Sequence, residues 1–239
     1  MNDNHIASAF DRDLEGIQAK LMRMGGMVEQ AIQGATKALL DRNPDLAAEV
    51  RMADKKIDAL DESLQADCAR LIALRQPIAS DLRTVLSVMR IVSHLERTGD
   101  YSKNMAKRTG AILDLPEVKG AAGAIARMSR QVESMLSDSL NAFVQNDAKL
   151  AEDVRQRDVE VDEMYVAIFR ELITFMLEDP RTISAAMHYH FIAKNLERMG
   201  DHVVAITAQT IYHVTGELPS EPREKGTSSI YDPETVQFP

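Results

Sequence analysis

Two acidic motifs of the same spacing occur about a hundred residues apart. Residues 95–100 read Leu-Glu-Arg-Thr-Gly-Asp, and residues 196–201 read Leu-Glu-Arg-Met-Gly-Asp. Each motif places a Glu and an Asp four positions apart, which on a helix puts both carboxylates on one face. Like charges at this spacing repel by about 0.2–0.5 kcal/mol, and a helical Gly costs roughly 0.5–1 kcal/mol. Because these unfavourable choices are made twice, we expect the motifs to do more than form helix.

Each motif has an acidic partner pair on the preceding stretch of helix-like sequence. Asp58 and Glu96 each lie 19 residues from Pro77, and the second half repeats this arrangement around Pro180 to within one residue. Helices joined by a short turn pack antiparallel, so equal distance from the turn means equal height. We therefore expect two clusters of four carboxylates. The first carboxylate cluster is Asp54, Asp58, Glu96 and Asp100, and the second carboxylate cluster is Asp158, Asp162, Glu197 and Asp201.

Four clustered carboxylates indicate a cation site, because they repel one another strongly unless a positive charge neutralises them. All-oxygen ligands suit Mg, Ca, Mn or oxidised Fe better than Cu or structural Zn. A solvated acidic face is the simpler alternative, since Asp54 and Asp58 flank Lys55 and Lys56. Both halves repeat the acidic pairs at matched heights along the helices, and this duplication favours a cation site over a solvated acidic face. The motif glycines are compatible with either interpretation, since they also allow close packing of helices.

Other residues that could do chemistry give weaker signals. Cys68 occupies an apolar stripe and aligns with Leu172 in the second half, which predicts a buried, inert thiol. Arg97 and Arg198 could bind an anion such as phosphate, but neutralising the adjacent acids is the simpler role. No Ser-His-Asp order, Gly-rich phosphate loop or CxxC is present. We expect structural or surface roles for the unmatched histidines His94, His188, His190, His202 and His213.

Composition narrows the class of protein. The net charge of −9 argues against nucleic acid or an anionic membrane as the main partner and suits cations. The single cysteine allows no intrachain disulfide and indicates a reducing compartment. No apolar run has the length of a signal peptide or of the ~20 residues that span a membrane. We expect a soluble cytoplasmic protein.

The elements that must position the acids are long helices. Apolar residues alternate at spacings of four and three, which is typical of bundle helices. Gly25 and Gly26 weaken the first helix, and residues 1–8 and 110–116 are expected to be a frayed start and a linker. The predicted helices span about 10–40, 44–74, 79–108, 119–145, 147–178 and 181–214.

The helices form an internal duplication. A shift of 104 residues aligns the first and second helices with the fourth and fifth, and a shift of 101 aligns the third with the sixth. This predicts an all-α fold of two tandem three-helix bundles. The expected domains are residues 1–112 and 113–216. Residues 217–239 are expected to be a disordered or extended tail, because four of the eight prolines lie in 216–239.

A duplicated three-helix unit ending in Leu-Glu-Arg-x-Gly-Asp resembles the PhoU family of phosphate-specific transport accessory proteins. Residues 75–83 and 176–183 are also similar to the family, and the resemblance covers residues 10–216. It implies two similar bundles with multinuclear metal clusters on (Glu/Asp)-xxx-Asp motifs. These motifs match all eight acids of the two carboxylate clusters. The resemblance leaves open whether the metal is iron, manganese, magnesium or zinc.

The resemblance further implies a regulator, not an enzyme. Such proteins link the ATPase subunit of a phosphate ABC transporter to a phosphate-sensing histidine kinase, restrain phosphate uptake and starvation genes, and are commonly homodimers. A di-iron oxidase is the enzymatic rival, but it needs Glu-x-x-His on facing helices, and no Glu here has a His three residues later. The other rival is a structural scaffold whose acidic faces dock basic partners without metal.

Overall fold

The structure, a computed structural model, describes residues 3–219, with side chains from residue 9 onward. Over this range it is helical and contains no β-strand, as the sequence predicts. A short 3₁₀ turn, Pro180–Thr182, precedes the last helix. The six helices are α1 (Asp3–Leu40), α2 (Pro44–Arg75), α3 (Ala79–Ile112), α4 (Ala121–Gln145), α5 (Ala148–Glu178) and α6 (Ile183–Thr215).

Two local predictions are wrong. The expected frayed start is helical from Asp3, because adding residues to an existing helix avoids the cost of nucleation. The predicted linker, 110–116, begins too early, since α3 continues to the buried Ile112. The predicted tail lies outside the described residues from position 220 on, and the domain boundaries stay a prediction.

Matching caps start the second helix of each half. Asn43 Oδ1 accepts hydrogen bonds from two backbone amides in the first turn of α2, with Pro44 at its first position. Asp147, which is 104 residues further on, accepts the same pair of bonds at the start of α5. The hairpin turns follow, with Gln76 in the left-handed region after α2 and Asp179 capping the turn before α6. Each half therefore presents an antiparallel helical hairpin.

The two halves pack through antiparallel helices. As residue numbers rise along α3, the numbers of the residues that they contact on α6 fall. The side-chain pairs are Thr84 with His213, Arg90 with Gln209, His94 with His202, and Arg108 with His188. The α3–α6 seam therefore has an approximate two-fold axis. No helix between residues 3 and 219 is both long and apolar enough to cross a membrane.

The contact between α1 and α4 follows the same two-fold relation. Thr36 Oγ1 and Ser129 Oγ lie 2.7 Å apart, and Leu140 packs so close to Gly25 that an added Cβ would collide with its Cδ1 atom. Shifted by 104 residues, Gly25 becomes Ser129 and Thr36 becomes Leu140, so these two contacts are equivalent. Gly25 allows close approach of two helices, and both halves contribute to one hydrophobic core.

Candidate functional site

The α2–α3 hairpin brings the four acids of the first carboxylate cluster together. Asp54 is 4% exposed and lies against Gly99. A Cβ at Gly99 would stand 3.8 Å from Asp54 Oδ1, which is ordinary van der Waals contact, so the carboxylate lies directly against the α3 backbone. The height of each acid counted from Pro77 predicts this arrangement.

Burial and mutual repulsion both raise the pKa of acids in the first carboxylate cluster. Burial and then the neighbouring Asp54 raise the pKa of Asp58 above its usual value. Burial and then Asp100 do the same for the pKa of Glu96. Asp61, one turn further along α2, raises both pKa values and is a fifth acid that the motif spacing does not predict.

A lysine of the chain itself partly neutralises these acids. Lys103 Nζ lies 2.5 Å from Asp54 Oδ2 and 2.8 Å from Asp100 Oδ1. Hydrogen bonds to Asp100 and Asp54 raise the pKa of Lys103 well above its usual value. The signal was available in the sequence, because Lys103 follows Asp100 by three residues and so shares its helix face.

The second carboxylate cluster is built differently. Asp158 is 1% exposed and lies against Gly200, where an added Cβ would collide with Asp158 Oδ1. Glu197 Oε1 accepts from Lys194 Nζ at 2.7 Å on the same helix. Glu197 Oε2 is buried and has no hydrogen-bond partner among the described residues. Asp162 is half-buried on α5, and Asp201 is exposed on α6.

The donor chemistry of both carboxylate clusters fits a hard cation. All candidate ligands are carboxylate oxygens, and the buried Asp54 Oδ1 accepts no hydrogen bond within the part of the chain that the structure describes. As they stand, however, no three His, Cys, Asp or Glu side chains in this part converge closely enough to hold a metal ion. In the first carboxylate cluster the Lys103 ammonium supplies positive charge that a metal ion would otherwise provide.

The other residues that the sequence analysis considered for chemistry have packing or charge-neutralising roles in the structure. Cys68 is fully buried, and burial raises the pKa of its thiol to about 11, which agrees with the predicted inert thiol. Arg97 lies 3.6 Å from Glu96 and 3.9 Å from Asp100, so it neutralises adjacent acids as expected. His94 and His202 contact each other, with Nδ1 atoms 3.0 Å apart, at the α3–α6 seam.

Comparison with known proteins finds a family match in each half of the chain, over ranges that include both acidic motifs. The family model described as PhoU domain matches residues 21–109 and 125–210. The phosphate-specific transport system accessory protein PhoU homolog of Caulobacter vibrioides is 39% identical over 221 residues, covering 92% of this chain and 96% of that protein. The homolog of the same name from Zymomonas mobilis is 40% identical over 222 residues, covering 92% and 93%.

Solved structures extend the similarity to the fold. The crystal structure of PhoU from Pseudomonas aeruginosa matches with a TM-score of 0.84 at 38% identity, covering 87% of this chain and all of that chain. The phosphate transport system regulatory protein PhoU from Streptococcus pneumoniae matches with a TM-score of 0.81 at 32% identity, covering 89% and 100%. The predicted arrangement of two three-helix units is thereby confirmed.

Proposed function

Because this chain belongs to the PhoU family, we propose that it regulates phosphate transport, repressing phosphate uptake and the phosphate-starvation response when phosphate is plentiful. One observation carries the proposal, the similarity of nearly the whole chain to accessory proteins of the phosphate-specific transport system. The likeness includes both halves and both acidic motifs. The protein acts as a regulator and not as an enzyme.

We propose that it works in the cytoplasm as a homodimer that couples two partners. These are the ATPase subunit of a phosphate ABC transporter and a phosphate-sensing histidine kinase. Binding both together favours the kinase state that does not signal, which is a population shift through differential affinity. The net charge of −9 supports docking to basic surfaces on such partners.

The carboxylate clusters are proposed to bind metal ions, with iron, manganese, magnesium and zinc as candidates. The eight acids would hold the ions, whose positive charge neutralises the carboxylates and ties α2 to α3 and α5 to α6. The orphaned Asp54 Oδ1 and Glu197 Oε2 support this proposal. In the first carboxylate cluster a metal must compete with Lys103 for Asp54 and Asp100.

The metal-free scaffold is a second candidate, and Lys103 is the observation that favours it. An ammonium held between two of the acids reduces the need for any other cation. In that case the remaining carboxylates serve as a docking surface for basic partners. Amides in place of the acids would then weaken partner binding without changing metal content.

Elemental analysis separates the two candidates. We would compare wild type, purified without an affinity tag or chelator, with a variant carrying amides at all eight acids. Metal binding predicts several equivalents of metal in wild type and none in the variant. An empty, folded wild type would reject the metal proposal and leave the scaffold.

The regulatory proposal is tested in cells that lack the gene. At high phosphate we expect raised phosphate uptake and an active phosphate-starvation reporter, both returned to the repressed level by the wild-type gene. A variant with Glu96→Gln and Asp100→Asn should repress less, and crosslinking should recover the ATPase subunit and the kinase with wild type. An unchanged reporter in the deletion strain would refute the regulatory role.

A further inference from the structure

A cleft of about 480 Å³ opens between α2 and α3, beside the first carboxylate cluster. Among the described residues its lining carries four basic side chains and no acidic one, in a protein whose net charge is −9. We call it the basic cleft. Its lining is Ala48, Arg51, Met52, Lys55, Lys103, Asn104 and Lys107.

The basic side chains form two like-charged pairs on facing helices. Arg51 and Lys55 stand four apart on α2, and Lys103 and Lys107 stand four apart on α3. Each such pair costs about 0.2–0.5 kcal/mol on an isolated helix, because like charges then share one face. The cleft therefore concentrates positive charge at a cost to the helices, and an anion between the pairs would remove that cost.

Three of the four cations are available to a ligand. Arg51, Lys55 and Lys107 are exposed, and they form no ion pair with the residues that the structure describes. Lys103 differs, because Asp54 and Asp100 hold its ammonium at one side of the cleft. The site thus combines one positioned cation with three that are free to close on an anion.

The second half shows that the fold does not require this cleft. At the positions equivalent to Lys55, Lys103 and Lys107 it carries Val159, Val204 and Ala208. The residue equivalent to Arg51 is Arg155, which is 8% exposed and donates to Glu152 on its own helix at 2.8 Å. Three of the four positions are therefore basic in the first half only.

We propose that the basic cleft binds a small phosphate-bearing anion with more than one negative charge. Lys and Arg are the side chains that bind phosphate oxygens by charge-assisted hydrogen bonds. The Asn104 amide adds a neutral donor. The volume falls within the range of small-molecule sites, and it accommodates inorganic phosphate, pyrophosphate or the phosphate chain of a nucleotide. The proposal goes beyond the regulatory function, and the basic cleft adjoins the first carboxylate cluster at Lys103, which contacts Asp54 and Asp100.

Isothermal titration calorimetry on the full chain tests the proposal. Phosphate, pyrophosphate and ATP would each be titrated at fixed ionic strength, with sulfate as the comparator. We expect one saturable site per chain that prefers at least one of the phosphate compounds to sulfate. The preferred compound then identifies its source. No saturable binding by any of the three, or sulfate bound as tightly as the best of them, would overturn the proposal.

The decisive variant replaces two lysines by the residues of the second half, Lys55→Val with Lys107→Ala. Lys103 stays, because removing it would strand the buried Asp54. We expect at least a tenfold loss of affinity with an unchanged circular dichroism spectrum and Tm. The control, Lys119→Ala with Lys149→Ala, makes the same change in net charge at exposed positions outside the cleft and should bind as wild type does. An equal loss in the control would mean a general charge effect and would refute the site.

Discussion

The two halves of the molecule have matching backbones and different charge chemistry. Both use a capped second helix, a tight hairpin turn and a Glu-xxx-Asp motif on the third helix. In the first half an acid cluster contacts Lys103 and adjoins a basic cleft, whereas Val204 replaces the lysine in the second half. The duplication preserved the carboxylates, while the cations around them diverged.

The glycine in each acidic motif shows a second difference. An added Cβ at Gly99 meets two atoms of the buried Ile57, Cδ1 at 3.1 Å and Cγ2 at 3.3 Å, so Ile57 must give way by a few tenths of an ångström. At Gly200 it collides with the carboxylate of Asp158, which is 1% exposed. The second half is therefore packed more tightly at this position, and a methyl group probes that difference directly.

Gly200→Ala should be the most damaging change. The new methyl group forces a buried carboxylate out of place, and overpacking of this kind costs about 2–3 kcal/mol. Urea unfolding followed by circular dichroism measures the free energy of unfolding. Gly99→Ala should stay within about 1 kcal/mol of wild type, because Ala recovers roughly 0.5–1 kcal/mol of helix propensity. Equal losses in the two variants would show that the halves are packed alike.

Acid should weaken the seam between the halves through His202. Its burial, and then His94, Arg97 and Arg198, lower the pKa of His202 to about 4. An unfolded His titrates near 6.5, so between these values the unfolded chain binds more protons and stability falls as pH falls. Because of this group, the free energy of unfolding should fall by about 2 kcal/mol from pH 7 to pH 5.

His202→Gln checks that assignment. The two-fold relation puts Tyr101 at the position equivalent to His202. The variant keeps His94, whose pKa is also lowered by burial and then by Arg90, so the difference from wild type isolates His202. Between pH 7 and pH 5 the free energy of unfolding should fall by about 1–2 kcal/mol less in the variant than in wild type. Urea unfolding at both pH values measures this difference. The same acid sensitivity in both proteins would assign the effect to other groups.

Lys103→Met makes the first half resemble the second. It leaves Asp54 buried without its cation, and breaking a fully buried pair costs about 3–5 kcal/mol. The Lys103 side chain is 38% exposed, so water reduces the expected loss to about 1–2 kcal/mol. Thermal or urea unfolding measures it, and added Mg²⁺ or Mn²⁺ should restore part of the stability if the carboxylates bind a cation.

Lys107→Met is the matched control for that change. Lys107 lies one turn further along α3 and forms no ion pair with the described residues. Its loss should change stability by less than about 0.5 kcal/mol. If the two variants were equally stable, the contact of Lys103 with Asp54 and Asp100 would contribute nothing.

The sequence alone predicts the elements that depend on local signals. Pro44, Pro77 and Pro180 mark the turns, and apolar spacing gives six helices with most boundaries within three residues. Counting from Pro77 also predicts the meeting of Asp54 with Asp100. These inferences succeed because turn chemistry and helical rise are properties of short segments.

Features that depend on contacts between helices are missing from the sequence prediction. The spacing of Lys103 to Asp100 indicates an ion pair within α3, but the contact of Lys103 with Asp54 exists only because α2 packs beside α3. Gly25 reads as a helix weakener, yet it admits Leu140 from α4. The antiparallel α3–α6 seam is equally hidden, because periodicity shows which face is apolar and not which partner covers it.

Among the variants that remove an ion pair, Lys194→Met in the second half should have the smallest effect. Lys194 reaches Glu197 along the same helix at 2.7 Å with its side chain 36% exposed, and such pairs contribute about 0.3–0.5 kcal/mol. Its counterpart in the first half is Ser93, so this cation too belongs to one half only. Lys194 Nζ also lies 5.2 Å from the centroid of the Tyr165 ring on α5. Urea unfolding of Lys194→Met beside Lys103→Met compares an ion pair within one helix with an ion pair that joins two. A loss for Lys194→Met as large as that for Lys103→Met would mean that the buried oxygen of Glu197 depends on Lys194, and that each half carries its own structural lysine.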